Sequence, residues 1–377
     1  MIYLDNSATT AMVPAALETY KEVATRFMGN PSSLHNLGGK ATRLLEASRR
    51  QIAELLGVAP SEIFFTSGGT EGDNWILKGV AWEKARFGKH LLISAIEHPA
   101  VKNAAAWLAT QGFDVEEIPV SADGFVSADS VREMLRDDTI LVSVMAVNNE
   151  IGSIQPIREI AEVLADRPNV SFHVDAVQTI GKIPVSDWLV SRVDFATLSA
   201  HKFHGPRGVG IVIAKDGKRL TPLLHGGGQE ENRRSTTENL AGIAATAKAL
   251  RLQLTDDEKK RAHIYQMKKV LLSALTDLPN VVIFSAMDAF APAILTWGIR
   301  GIRGEVVVHA FEHYEIYLST TSACSSKKNA AAGTLMAMHV KPELATSAVR
   351  ISLDATNTMT EMEQFLSIAR QIVEQLS

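Results

Sequence analysis

The sequence predicts an α/β fold: a large domain with a mostly parallel sheet flanked by helices over residues 15–255, and a smaller α+β domain made from residues 1–14 and 256–377. Three observations predict it. Short apolar runs alternate with helix-length segments for most of the chain. Polar and ionisable residues gather where several of those runs end. The patterning also changes after about residue 255, where a charged stretch opens a long helix and only weaker strands follow.

The elements can be justified in order. Residues 41–56 place Leu44, Leu45, Ser48, Ile52, Leu55 and Leu56 on one face and Arg43, Glu46, Arg49, Arg50 and Glu54 on the other, which makes a surface helix. Strands are expected within 62–67, 90–98, 139–147, 170–176, 193–200 and 208–214. Each run is short, rich in Ile, Val or Phe, and bounded by polar, Gly or Pro residues. Runs of this kind separated by helices suit a sheet covered on both faces. Beyond residue 255, a helix begins in TDDEKKR, strands are expected at 280–284 and 292–299, and an amphipathic helix over 360–376 carries capping-box spacing at Thr360 and Glu363.

Composition excludes several classes of function. A net charge of −4 offers no basic field for a phosphate backbone, so no direct nucleic-acid ligand is expected. No apolar run approaches the roughly 20 residues that cross a bilayer. The opening MIYLDNSATT has neither the basic nor the apolar region of a signal peptide, so a cytoplasmic protein is expected, with no membrane partner. The one cysteine, Cys324, makes no intramolecular disulfide and no multi-thiolate zinc site, and no HExxH occurs; no metal is expected. Cys324 lies in STTSACSSKK, free of large apolar residues, which favours reactivity over packing.

His98, Asn148 and Asn149, Asp175, and His201 with Lys202 follow the ends of four candidate strands. In an open α/β sheet those ends line the ligand crevice. TSGGTEGDN (66–74) follows another strand and runs into a helix, so Gly69 and Thr70 sit in a turn able to cradle phosphate on backbone N–H groups. It is not a Walker A loop, and no GxGxxG follows a strand. A phosphate cradle, a buried aspartate, a lysine at a strand end and a nearby histidine suit pyridoxal phosphate. The amine supplies a Schiff base, the carboxylate keeps the pyridine nitrogen protonated, and the imidazole packs on the ring.

YLDNSATT (3–10), GNPSSLH (29–35), FTSGGTEGDN (65–74), EHPAV (97–101), VNNEIG (147–152), HVDAVQ (173–178), SAHKFHGPRGVG (199–210), HGGGQE (225–230) and SAC (322–324) occur in this order. Together they resemble the cysteine desulfurases, class V aminotransferase-like enzymes that supply sulfur for iron–sulfur clusters and thiolated tRNA. The resemblance spans essentially the whole chain. It implies a fold-type I pyridoxal-phosphate homodimer in which Lys202 bears the cofactor, Asp175 pairs with the pyridine nitrogen, Gln178 bonds the phenolic oxygen and His98 stacks on the ring. It implies that Thr70, Ser199 and His201 hold the phosphate with Thr237 of the second subunit, that Asn149 and Arg350 bind the carboxylate of L-cysteine, and that Cys324 receives the sulfur as a persulfide. The small domain would carry the cysteine loop. A tRNA 2-thiouridylase is the favoured sulfur acceptor and an iron–sulfur scaffold the main alternative.

Three residues depart from the family pattern: Thr236 and Thr321 where glycine is frequent, and Asp354 where Gly or Ser is usual. None removes a catalytic group. Two competing readings are a selenocysteine lyase or other class V enzyme with Cys324 incidental, and an inactive scaffold for a sulfur relay. Lys202, Asp175 and His98 argue against the scaffold.

Overall fold

A computed structural model describes residues 1–321 and 333–376. Its centre is a seven-stranded sheet in the order β2-β8-β7-β6-β5-β3-β4. The strands are β2 (Ile63–Thr66), β3 (His90–Ser94), β4 (Asp114–Ile118), β5 (Thr139–Ser143), β6 (Ser171–Asp175), β7 (Phe195–Ser199) and β8 (Gly210–Ala214). β3 through β7 pair in parallel, and β8 runs antiparallel to both of its neighbours, β2 and β7. β2 therefore points the same way as β7, so every strand except β8 delivers its C-terminal end to the same edge.

Of the strands expected in this region, all six form. β4 was missed because DVEEI is polar and lies at the sheet's edge with Asp114 and Glu117 exposed, so it carries little apolar signal. Gly210 permits the turn into β8: a Cβ there would come within 2.7 Å of Gly68 Cα. That contact lets β8 pass directly beneath the cradle turn.

α1 (Pro14–Arg26), α2 (Asn36–Leu56), α3 (Gly69–Lys84) and α4 (Pro99–Thr110) pack around this sheet with the helix Leu240–Leu254. α2 buries Ala41, Leu45, Ser48, Ile52, Ala53 and Leu56, close to the expected face. Arg49, expected in solvent, is instead only 11% exposed. Its guanidinium donates to both carboxylate oxygens of Glu230 at 3.0 and 2.7 Å and lies over the Phe65 ring. Periodicity could not show that a distant glutamate would supply a buried partner.

A second core collects Ile2 and Leu4 with residues from Ile264 to Val373. It lies on a four-stranded antiparallel sheet, β12-β13-β10-β9, comprising β9 (Val281–Ile283), β10 (Ile294–Ile299), β12 (Ser319–Thr320) and β13 (Ala348–Ser352). Trp297, Phe311 and Phe365 pack at its centre, the two phenyl rings stacked with centroids 4.9 Å apart. Each such pair adds about 1 kcal/mol beyond the area it buries. β1 (Ile2–Tyr3) pairs in parallel with β11 (Ile316–Tyr317), and Asp5 then bridges to Ser352, so the N-terminus runs beside β13. The last helix, Met359–Leu376, buries Met362, Phe365, Leu366, Ala369, Ile372 and Val373. Its capping box is Thr358 with Glu361, two residues before the expected pair: Glu361 N–H donates to Thr358 Oγ1 and Thr358 N–H donates to Glu361 Oε2. Among the described residues no helix is long and apolar enough to cross a membrane.

Candidate active site

The shared strand edge opens into a cavity of about 250 Å³, lined by Gly69, Thr70, His98, Asn149, Asp175, Gln178, Ser199, His201, Lys202 and Arg350 among others. Ten of the twelve expected site residues thus meet in one place. Thr237 does not: it lines a separate cleft with Phe27, Met28 and Asn30. Cys324 lies outside the described residues, although Thr321 reaches the cavity wall.

Lys202 follows β7 in a single 3₁₀ turn, Ala200–Lys202. Its Nζ donates to the carbonyl oxygens of Ser7 at 2.7 Å and Ala8 at 2.9 Å, which holds the amine at the cavity floor. Gln178 Nε2 donates to the same Ser7 carbonyl at 3.0 Å, while Gln178 Oε1 is buried with no hydrogen-bond partner among the described residues. Asp175 ends β6 and accepts from Val177 N–H at 2.9 Å. Burial first, and the Asp73 carboxylate second, push Asp175 up to about 7.

Behind it lies a buried polar layer that pattern reading missed. His173 contacts Ser143 Oγ at 2.9 Å and Thr197 Oγ1 at 3.2 Å, and burial brings it down to about 4, so it is neutral. Burial raises Asp73 to about 7 and lifts Glu97 well above the carboxylate range, with Asp175 adding to the latter. Glu97 accepts from Ser94 Oγ and from Met145 N–H, bracing the ends of β3 and β5. For Ser143, His173 and Thr197 the sequence hint was polar residues inside otherwise apolar strands, a pattern shared with ordinary buried networks; Asp73 comes from α3.

His98 caps α4. Its Nδ1 accepts from Ala100 N–H at 3.1 Å, which places the neutral ring's proton on Nε2. Burial lowers its pKa; Asp175 opposes this and Lys202 adds to it. The imidazole is therefore held in one tautomer.

At the other end of the cavity α3 begins at Gly69. A Cβ on Gly72 would come within 2.7 Å of Thr197 Cγ2, so glycine lets the first turn of α3 sit close against β7. An adjoining cleft shares Gly69, Thr70, Ser199 and His201 with the main cavity and adds Arg207. His201 is brought down to about 4 by burial, then by the charges of Lys202, Arg207 and Lys182. Those cations and the N-terminus of α3 create a positive field that a phosphate dianion would neutralise. Arg207, of SAHKFHGPRG, was not expected. The mouth of the cradle is braced by Glu71, which accepts from Arg234 at 2.6 and 2.9 Å and from Ser67 N–H at 2.7 Å.

Arg350 projects from β13 into the cavity and is 5% exposed. Its Nη1 donates to the Asn149 carbonyl at 2.7 Å and Nη2 to Asp5 Oδ1 at 2.8 Å, while Nε is buried without a partner among the described residues. Asp5 was quoted only within a motif; it reaches Arg350 because the N-terminus lies along β13.

The donor set fits pyridoxal phosphate: an amine, a cradle under a positive field, a buried aspartate, and a Gln178 acceptor with no partner among the described residues, all in one cavity. The family described as "Aminotransferase class-V" matches residues 2–365. A "NifS/IcsS protein homolog" of Lactobacillus delbrueckii subsp. bulgaricus is 53% identical, covering 100% of this chain and 98% of that protein. "Cysteine desulfurase IscS" of Methanosarcina thermophila is 38% identical, over 100% of this chain and 92% of that one. A solved "NIFS-LIKE PROTEIN" superposes with a TM-score of 0.93 at 38% identity, covering 99% of both chains. The chain belongs to the class-V aminotransferase family and, within it, to the cysteine desulfurases.

Proposed function

We propose that the protein is a pyridoxal-phosphate-dependent cysteine desulfurase that converts L-cysteine to L-alanine and passes the sulfur onward as a persulfide on Cys324. The observation that carries this is one cavity holding Lys202, Asp175, His98 and the Thr70 cradle opposite Arg350. Pyridoxal phosphate, when bound, supplies an electron sink that labilises bonds at the substrate's α- and β-carbons. Lys202 would hold it, and Thr70, Ser199 and His201 with the Gly69 backbone would take its phosphate. Asp175 and Gln178 would serve its ring nitrogen and phenolic oxygen, and His98 would pack on its ring.

Arg350 and Asn149 take the substrate carboxylate, and Lys202 Nζ removes the α-proton. The Cys324 thiolate then attacks the substrate sulfur: the S–S bond forms, the C–S bond breaks, and the electron pair stays on the three-carbon fragment. That fragment takes one proton at the β-carbon and one at the α-carbon, the latter replacing the proton that Lys202 removed, and leaves as alanine. The persulfide goes to an acceptor protein, a tRNA 2-thiouridylase in preference to an iron–sulfur scaffold, in a cytoplasmic setting.

A homodimer is proposed as the working unit. Met28, 83% exposed, lines the cleft with Thr237, so an exposed apolar side chain lies in the same cleft as the one expected phosphate ligand that is absent from its own cavity. The division into 15–255 and 1–14 with 256–377 is proposed on the separate core that joins Ile2 and Leu4 to the C-terminal sheet. The test is alanine release from L-cysteine by protein loaded with pyridoxal phosphate, followed by offering radiolabelled persulfide to each acceptor. Alanine with label passing to the thiouridylase is the expected result. Turnover of selenocysteine but not cysteine would refute the reading.

A further inference from the structure

Asp354, one of the three departures from the family pattern, has a defined place in this chain. Its Oδ2 lies 2.8 Å from His204 Nε2, and the other ring nitrogen, Nδ1, lies 2.9 Å from the Ala11 carbonyl oxygen. A carbonyl can only accept, and so can an ionised carboxylate, so both ring nitrogens carry protons and His204 is an imidazolium. Burial opposes that charge, but the Asp354 hydrogen bond and charge outweigh it and raise His204. Asp354 is held far below the carboxylate range: burial opposes this, and the bond to His204 outweighs it. The carboxylate is further fixed by Thr356, whose N–H and Oγ1 donate to Oδ1 at 2.9 and 2.8 Å.

The pair joins the two halves of the site. His204 lies two residues after Lys202, at φ 64°. Its N–H donates to Thr10 Oγ1 at 2.8 Å, and that hydroxyl donates to the His201 carbonyl at 2.9 Å. Asp354 lies four residues after Arg350, just past the end of β13. The turn that carries the cofactor lysine is thereby tied to the strand that carries the carboxylate-binding arginine. A small cavity lined by Lys182, Lys202, His204 and Asp354 lies along this link. Lys182 is only 6% exposed and is brought down to about 7 by burial, then by Lys202. The charged groups around His204 are thus Asp354, Lys182 and, on its own turn, Lys202.

We propose that His204 and Asp354 form a positioning pair that sets Lys202 relative to Arg350 during desulfuration; this rests on the function proposed above. With Gly or Ser at 354 the imidazole would keep only its bond to Ala11, lose its second proton and release the turn from β13. A displacement of about 1 Å between reacting groups costs up to roughly a hundredfold in rate.

Two variants separate charge from tether. Asp354→Asn keeps the shape, and its amide can donate to a deprotonated Nε2, so His204 turns neutral while the link persists. Asp354→Ser removes the link. Nitrogen-15 NMR of the His204 ring in cofactor-free protein reads its charge. Alanine release from L-cysteine, from about pH 6 to about pH 9, reads kcat and KM across the window where a free histidine titrates. Imidazolium signals are expected in the wild type at neutral pH and neutral-ring signals in Asp354→Asn. Asp354→Ser is expected to lose roughly tenfold in kcat, with the visible absorbance of bound cofactor kept. Adding His204→Gln to Asp354→Ser should cost nothing more, because the two residues act as a unit. A purely structural pair would lower the unfolding temperature and leave kcat per loaded site unchanged, which would overturn the proposal, as would a neutral His204 in the wild type. An inactive wild type overturns the underlying function; an active wild type with unaltered variants overturns the pair alone.

Discussion

Replacing Arg350 by alanine removes the cation that serves both Asp5 and, in the proposed function, the substrate carboxylate. The guanidinium is almost fully buried, bound to the Asn149 carbonyl and Asp5, with Nε open. A hydrogen bond to a charged group is worth about 1.5–3 kcal/mol. Losing a paired contact to a desolvated carboxylate therefore costs about 3–5 kcal/mol, or roughly a thousandfold in kcat/KM. The carboxylate takes no part in bond making, so most of the loss should fall on KM. Arg350→Lys keeps a charge but cannot span two acceptors, and should fall between wild type and alanine. The assay is alanine release over a range of L-cysteine concentrations, with bound-cofactor absorbance reporting an intact site. A loss of less than about threefold in kcat/KM for Arg350→Ala, far below the contact energy above, would refute the assignment.

Three further outcomes are expected. His98→Asn keeps a cap on α4 and should unfold at the wild-type temperature, yet bind pyridoxal phosphate roughly fivefold more weakly, since a ring stack is worth about 1 kcal/mol; equal affinity by absorbance titration would contradict the stacking role. Asp175 titrates at about 7 when folded against 3.8 ordinarily, so the folded cofactor-free protein keeps a proton that the unfolded chain releases, and stability falls as pH rises through that window. Asp175→Asn should flatten the fall only in part, because Asp73 and Glu97 act in the same sense; urea unfolding at several pH values checks it. Finally, Lys202→Ala and Thr237→Ala chains refolded together should regain one intact site per mixed dimer, visible as cofactor absorbance above that of either variant. No gain on mixing would place Thr237 outside the partner's site.

Much of the site was legible because strand ends announce themselves: an apolar run that stops at His, Asp, Asn or Lys marks the crevice edge. The cradle was legible from Gly69 and Thr70 between a strand and a helix. Asp5 was not, because its role depends on the N-terminus lying along β13, a pairing across more than three hundred residues. In the Asp73–His173 layer, His173 was hidden among the apolar residues of β6, while Asp73 lies in the first turns of α3. β4 escaped because one side of an edge strand faces water. Arg49 was misplaced because helical periodicity reports only where a side chain points, and Glu230, which neutralises it, comes from a distant loop. Asp354 was noticed as a departure, but its meaning depended on His204 lying opposite.

The central claim is that Cys324 takes sulfur from a substrate held by Lys202 and Arg350. The most direct measurement is mass spectrometry of alkylated peptides containing Cys324, after one turnover of L-cysteine by the loaded enzyme, in wild type and Cys324→Ser. Persulfide on Cys324 in step with alanine, and no protein-bound sulfur with Cys324→Ser although the cofactor still binds, is the expected result. Undiminished sulfur delivery to an acceptor by Cys324→Ser would contradict it.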